Sequence, residues 1–104
     1  MFKESFIQAI HERRKVKLTF FSKEDRGELT RACAPMDYGP SRHSSKKDNR
    51  YHLWDYDSDS GSHTLSLPSE QIKNIEILKE QFHPAEFVTW PPNWFVQRNW
   101  GKFS

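Results

Sequence analysis

The stretch "RYHLWDYDSDSGSHTLSL", Arg50 to Leu67, decides the fold. Up to Asp57 it alternates large ring-bearing side chains with other types, the period-2 pattern of a strand with two unlike faces. It then passes through "SDSG", a cluster of turn formers, and resumes with Thr, Leu and Ser. Two short runs around such a turn predict a hairpin, with strands over about Tyr51 to Asp57 and Ser62 to Leu67. Tyr51 and Leu53 then share one face, and His52, Trp54 and Tyr56 the other. If Leu53 packs with Leu65 and Leu67, the second face becomes an outward platform of rings on which a base can stack. If Trp54 packs inward, the platform disappears and the rings are core or cross-strand pairs.

Working toward the N-terminus, residues 35 to 50, "PMDYGPSRHSSKKDNR", hold two prolines, a glycine and three serines, and read as a long exposed loop. Arg42, Lys46, Lys47 and Arg50 lie in it, with Ser41, Ser44 and Ser45 as further donors, a composition suited either to phosphate or to plain solvation. Before the loop, a strand over roughly Glu28 to Ala34 is expected to end at Pro35, which lacks a ladder donor. Arg31 on that strand needs an acceptor or a ligand, and Asp37 and Asp55 are its candidate ion-pair partners. Upstream again, "VKLTFF" alternates as a strand, and "SKEDRG" makes the turn between the two. "FKESFIQAIHERRK" spaces Phe2, Phe6, Ile7 and Ile10 as an amphipathic helix that should end near Arg14.

Toward the C-terminus, "LPSEQIKNIEILKE" gives a turn at Pro68 to Glu70 and a last strand bearing Ile72, Ile75 and Ile77, whose uneven spacing predicts a bulge. The expected core is Val16, Leu18, Phe20, Leu53, Leu65, Leu67, Ile75 and Ile77, capped by Phe6 and Ile10. The fold is therefore mainly β: an N-terminal helix followed by a small, strongly bent, five-stranded antiparallel sheet or partly open barrel. The barrel domain covers residues 1–88, and an aromatic, proline-rich tail covers 89–104. Residues 81–104 hold three prolines, three tryptophans and four phenylalanines. So many rings must bury against something. Trp90, Trp94, Phe95 and Trp100 pack either on their own domain or on a partner, which includes a second copy of the chain in a homodimer.

Composition limits the function classes. With 104 residues and 35% hydrophobic content the chain fills one modest core, and its 14% aromatic content argues against disorder despite a mean hydropathy of -0.92. Cys33 is the single cysteine, so no internal disulfide forms, and no stretch is apolar enough to span a membrane; a cytoplasmic location is expected. The net charge of +2 conceals a basic first half and an acidic second half, a polarity that can orient a polyanion. Five scattered histidines, without a metal-ligand spacing or a glycine-rich phosphate loop, predict no metal, no cofactor and no enzymatic activity. Cys33 among alanines reads as a small buried hydrophobe and not as a nucleophile.

The succession "FIQAIHERRKVKLTFF", "GELTRACAP", "YHLWDYD", "HTLSLPSEQIKNIEIL" and "FHPAEF" resembles a WYL domain, a bacterial module that joins an N-terminal helix to an SH3/Sm-like barrel. The resemblance spans about Phe2 to Phe87, with Tyr51, His52 and Leu53 at the name-giving positions and Arg31 and Pro35 also matching. It implies transcription regulation through sensing of a nucleic acid or nucleotide-like anionic ligand, with a regulatory protein as a further partner. The family's arginine positions along and after the fourth strand look like His63 and Ser66 here. The expected ligand-binding residues are Arg31, Arg42, Lys46, Lys47, Arg50, Tyr51, His52, Trp54, His63 and Ser66.

Overall fold

The structure is a computed structural model that describes residues 2–41, 48–58 and 63–104. Helix α1, Lys3–Glu12, buries Phe6, Ala9 and Ile10 at helical spacing. It stops two residues before the expected Arg14, because Arg13 takes a left-handed conformation (φ 55°) and returns its N–H to the carbonyls of Ala9 and Ile10. Arg14 instead opens β1, Arg14–Ser22. The other strands are β2, Gly27–Pro40; β3, Asn49–Asp55; β4, Thr64–Pro68; and β5, Ile72–Gln81. They form one antiparallel sheet in the order β4-β3-β2-β1-β5. The expected helix and five-stranded sheet are thus present. Closure is not: β4 and β5 are the two edges and do not pair.

Strand β2 runs through Pro35, where a stop was expected. The β1 ladder ends at Val16 opposite Cys33, so beyond that point β3 is, among the described residues, the one strand that pairs with β2, and a missing N–H interrupts no bond to β1. Residues 35–40 are therefore strand and largely buried, not part of an exposed loop. Residues 49 and 50 belong to β3, while 42–47 lie outside the described residues. Fourteen extended residues would reach about 45 Å, beyond the 38 Å longest axis of the molecule, so β2 bends. A bulge supplies the bend: Pro35 pairs with Leu53, but Asp37 pairs with the very next residue, His52. The extra residue, Met36, switches Asp37 to the opposite face of the sheet from Pro35.

The hairpin β3–β4 pairs Tyr51 with Leu67 and Leu53 with Leu65, although most of its turn falls outside the described residues. The bulge expected in β5 is present, since Thr19 pairs with Asn74 and Phe20 with Ile72, leaving Lys73 extra. The inner face carries Val16, Leu18, Phe20, Leu53 and Leu67, all buried together with Ile72 and Ile75. Leu65 and Ile77, expected in the core, are only partly buried against it because both lie on edge strands. Helix α1 closes one end, with Phe6 edge-on to Tyr51 at 5.0 Å between ring centres. Burying a side chain such as Phe6 contributes about 1.5–3 kcal/mol.

The tail adds no strand. Residues 84–86 and 101–103 form single 3-10 turns, the first held by a His83–Glu86 capping box. Trp100 is buried, meets Phe82 and Phe87 edge-on, and donates its indole N–H to the Ile10 carbonyl at 2.9 Å. That carbonyl lies in the last turn of α1, where its other donor is the capping N–H of Arg13 at 3.3 Å. The tail therefore packs on its own sheet and helix.

Candidate functional site

Asp37 organises the site. The bulge turns its carboxylate to the outer face, where Oδ1 accepts from the backbone N–H groups of Tyr38 (2.9 Å) and Val96 (3.0 Å) and Oδ2 from that of Phe95 (2.9 Å). Arg98 Nη2 completes the set at 3.3 Å. The Arg98 side chain is 0% exposed. Its guanidinium carbon lies 4.3 Å from the ring centre of Trp94 and 4.4 Å from that of Trp100, and it also donates to the carbonyls of Met36 and Val96. Burial pulls this guanidinium down to about 10 while Asp37 opposes the shift, so Arg98 stays charged at neutral pH. A buried charge is tolerated here because a carboxylate, two carbonyls and two indole rings all face it.

This clamp lays the tail across the outer face and leaves a groove of about 420 Å³ between them. Trp90, Pro91, Trp94 and Phe95 form one wall; His52, Thr64 and Ser66 form the other. Phe95 reaches its place because Gly39 has no side chain: a Cβ there would lie 2.5 Å from the ring. Trp90 and Phe95 remain 42% and 44% exposed. His52 is fixed at both nitrogens, 2.9 Å from the Gly39 carbonyl and 2.8 Å from Ser66 Oγ. A carbonyl only accepts, so Nε2 carries the proton, and in the neutral ring Nδ1 accepts from the Ser66 hydroxyl. Ser66 also lines the groove, with the rings of the tail across from it. Ser41 lines the rim, and the sequence runs from it directly into Arg42.

The remaining expected residues are distributed as follows. Leu53 does pack on Leu67's face, which puts His52, Trp54 and Tyr56 on the outer side. Trp54 is stacked by His63 (4.9 Å) and by Phe87 of the tail (5.7 Å), and Tyr56 donates to Glu86 under the ammonium of Lys15. These contacts give Trp54 and Tyr56 to packing and leave His52 at the groove. Tyr51 is buried between Phe6 and Tyr38 on the inner face. His63 Nδ1 donates to the Asp55 carbonyl. Arg50 lies 3.7 Å from Asp48, and among the described residues nothing hydrogen-bonds its buried Nε. Arg31 pairs with Asp55, at 3.9 Å, and not with Asp37, which Arg98 occupies. Arg42, Lys46 and Lys47 lie outside the described residues.

The groove therefore joins two sets of residues that the sequence kept apart, His52 and Ser66 with Trp90, Trp94 and Phe95. Asp37, Gly39 and Arg98 were missed as its builders. The one available signal was Arg98 itself, a lone cation among Trp94, Phe95 and Trp100. Cys33 is buried, and burial together with the Asp55 and Asp57 carboxylates pushes its thiol up, away from the reactive thiolate. Among the described residues no three His, Cys, Asp or Glu side chains converge as metal ligands, and no helix is long and apolar enough to cross a membrane. No family model, no curated protein and no solved structure matches the chain.

Proposed function

We propose that the chain is a non-enzymatic ligand-sensing module that acts in the manner of a WYL domain, in the cytoplasm, on a partner regulatory protein. Its ligand is nucleotide-like: a planar ring lies in the groove against Trp90 and Phe95, and a phosphate lies by Ser41, after which the sequence continues into the basic residues Arg42, Lys46 and Lys47. The observation that carries this reading is the groove itself, apolar and ring-lined, with a few fixed polar groups from His52, Thr64 and Ser66. The exposure of Trp90 and Phe95 favours a second reading, in which the same aromatic surface is a protein-interaction face.

The test is quenching of intrinsic tryptophan fluorescence by nucleoside monophosphates and short single-stranded oligonucleotides, repeated over a salt series. Saturable quenching that weakens with salt, and a shallower salt slope after Lys46→Glu and Lys47→Glu, are expected because fewer counterions are released. Absence of quenching at low salt overturns the nucleotide reading and leaves the protein-interaction face.

A further inference from the structure

The inner face of the sheet carries two charged residues among its apolar ones. Arg31 stands opposite Leu18, and Asp55 opposite Cys33, so both share the face of Phe20, Leu29, Leu53 and Leu65. Because β4 and β5 do not join, this face is open, and a cavity of about 500 Å³ lies there. Phe20, Leu29, Leu65 and Leu67 wall it, and Arg31 and Asp55 belong to the same lining. Ser22, Ser58 and Gln71 also line it, so polar groups converge beside its apolar wall, as they do in small-molecule sites. It shares no residue with the groove under the tail.

The two charges do not satisfy each other. Arg31 Nε and Asp55 Oδ2 are 3.9 Å apart, beyond hydrogen-bond reach. Arg31 gives Nη1 to the Asp57 carbonyl at 2.7 Å, and Asp55 Oδ1 accepts from the Asp57 N–H at 2.8 Å. Among the described residues nothing donates to Asp55 Oδ2, and Arg31 keeps unused donors on Nη2. Both residues line the cavity, where the Arg31 side chain is 27% exposed, so these groups can meet a partner there. The other charges in the lining come from the β1–β2 turn: Lys23, Glu24 and Asp25, the last of which accepts from Ser22 Oγ at 3.0 Å. Three carboxylates thus accompany two cations. A simple anion is repelled by the carboxylates and a simple amine by the guanidinium, whereas a head group bearing both charges on adjacent atoms meets both.

We infer that this cavity binds an apolar α-amino acid, with the carboxylate on Arg31, the ammonium on Asp55 and the side chain against Phe20, Leu29, Leu65 and Leu67. The experiment is NMR of the full chain, following the Leu29 and Leu65 methyl groups and the Arg31 Nε–H, during titration with L-leucine and L-phenylalanine. Saturable shifts at those three positions are expected. N-acetyl-L-leucine, which lacks the ammonium, and L-leucinamide, which lacks the carboxylate, should each bind about tenfold more weakly or worse, since each forfeits a charged hydrogen bond. Asp55→Asn keeps an acceptor for the Asp57 N–H and should weaken leucine binding similarly. Leu29→Trp fills the cavity while keeping both charged residues, and should abolish binding while the thermal melt stays cooperative. The inference is overturned if neither amino acid produces saturable shifts, if octanoate binds as well as leucine, or if Leu29→Trp binds leucine like the parent.

Discussion

Asp37 reaches the outer face of the sheet because one extra residue, Met36, is inserted opposite the step from Leu53 to His52. There it ties residues 95, 96 and 98 to β2 through three hydrogen bonds and balances the buried charge of Arg98. Asp37→Ala removes those acceptors and leaves the guanidinium uncompensated between two indole rings. Breaking one side of a buried pair costs about 3–5 kcal/mol, so the urea midpoint of this variant should fall steeply; a midpoint equal to the parent's would mean that the clamp holds nothing. The thiol of Cys33 offers a second test at this scale. It is fully buried and its ionisation is opposed by Asp55 and Asp57, so a thiol reagent should find it inert in the folded chain and reactive in urea. Rapid reaction under native conditions would place Cys33 outside the core.

Among the elements, the β3–β4 hairpin joins a central strand to an edge strand, and the two leucines that pair across it are unequal for that reason. Leu53 is fully buried, so Leu53→Ala should cost about 2–5 kcal/mol, whereas the half-covered Leu65 should cost about 1 kcal/mol on truncation. Chemical denaturation of the two variants checks the order, and a larger loss at Leu65 would require β4 to be covered by something further. On β2, Gly39→Ala drives a methyl group into Cδ2, Cγ and Cβ of Phe95. The cost should be about 1–3 kcal/mol, accompanied by a change in tryptophan emission as the tail lifts. An unchanged spectrum and midpoint would show that Phe95 does not rest on Gly39.

For the whole molecule, the tail completes what the helix and the sheet leave unsatisfied. Removing residues 90–104 exposes the Ile10 carbonyl, strands Asp37 and uncovers Phe82 and Phe87 together. The loss should be at least about 3 kcal/mol, which for a domain of this size corresponds to a melting temperature lower by roughly 12 °C or more. Light scattering should report no change in oligomeric state. An unchanged melt combined with loss of a dimer peak would instead assign the tail to a partner.

The sequence by itself determined which elements form and in what order, though not how far β2 extends. The periodicities of residues 2–12, 16–21, 51–57 and 72–77 reflect which side chains must leave water, and that requirement is local enough to be read from spacing. It also marked His52 and Ser66 on one strand pair and the tryptophans of the tail as residues needing an explanation. Only the tertiary structure decided where those two sets meet. A bulge of one residue reverses the face of everything after it, and nothing in "PMDYGP" announces the phase change that sends Asp37 outward. The proline that local rules took as a strand end is tolerated because β1 stops alongside it, a fact about a neighbouring strand and not about Pro35. Arg98 pairs with Asp37 across 61 residues, and Arg31 meets Asp55 across the sheet; such partners are chosen by packing, which depends on the whole chain being folded at once.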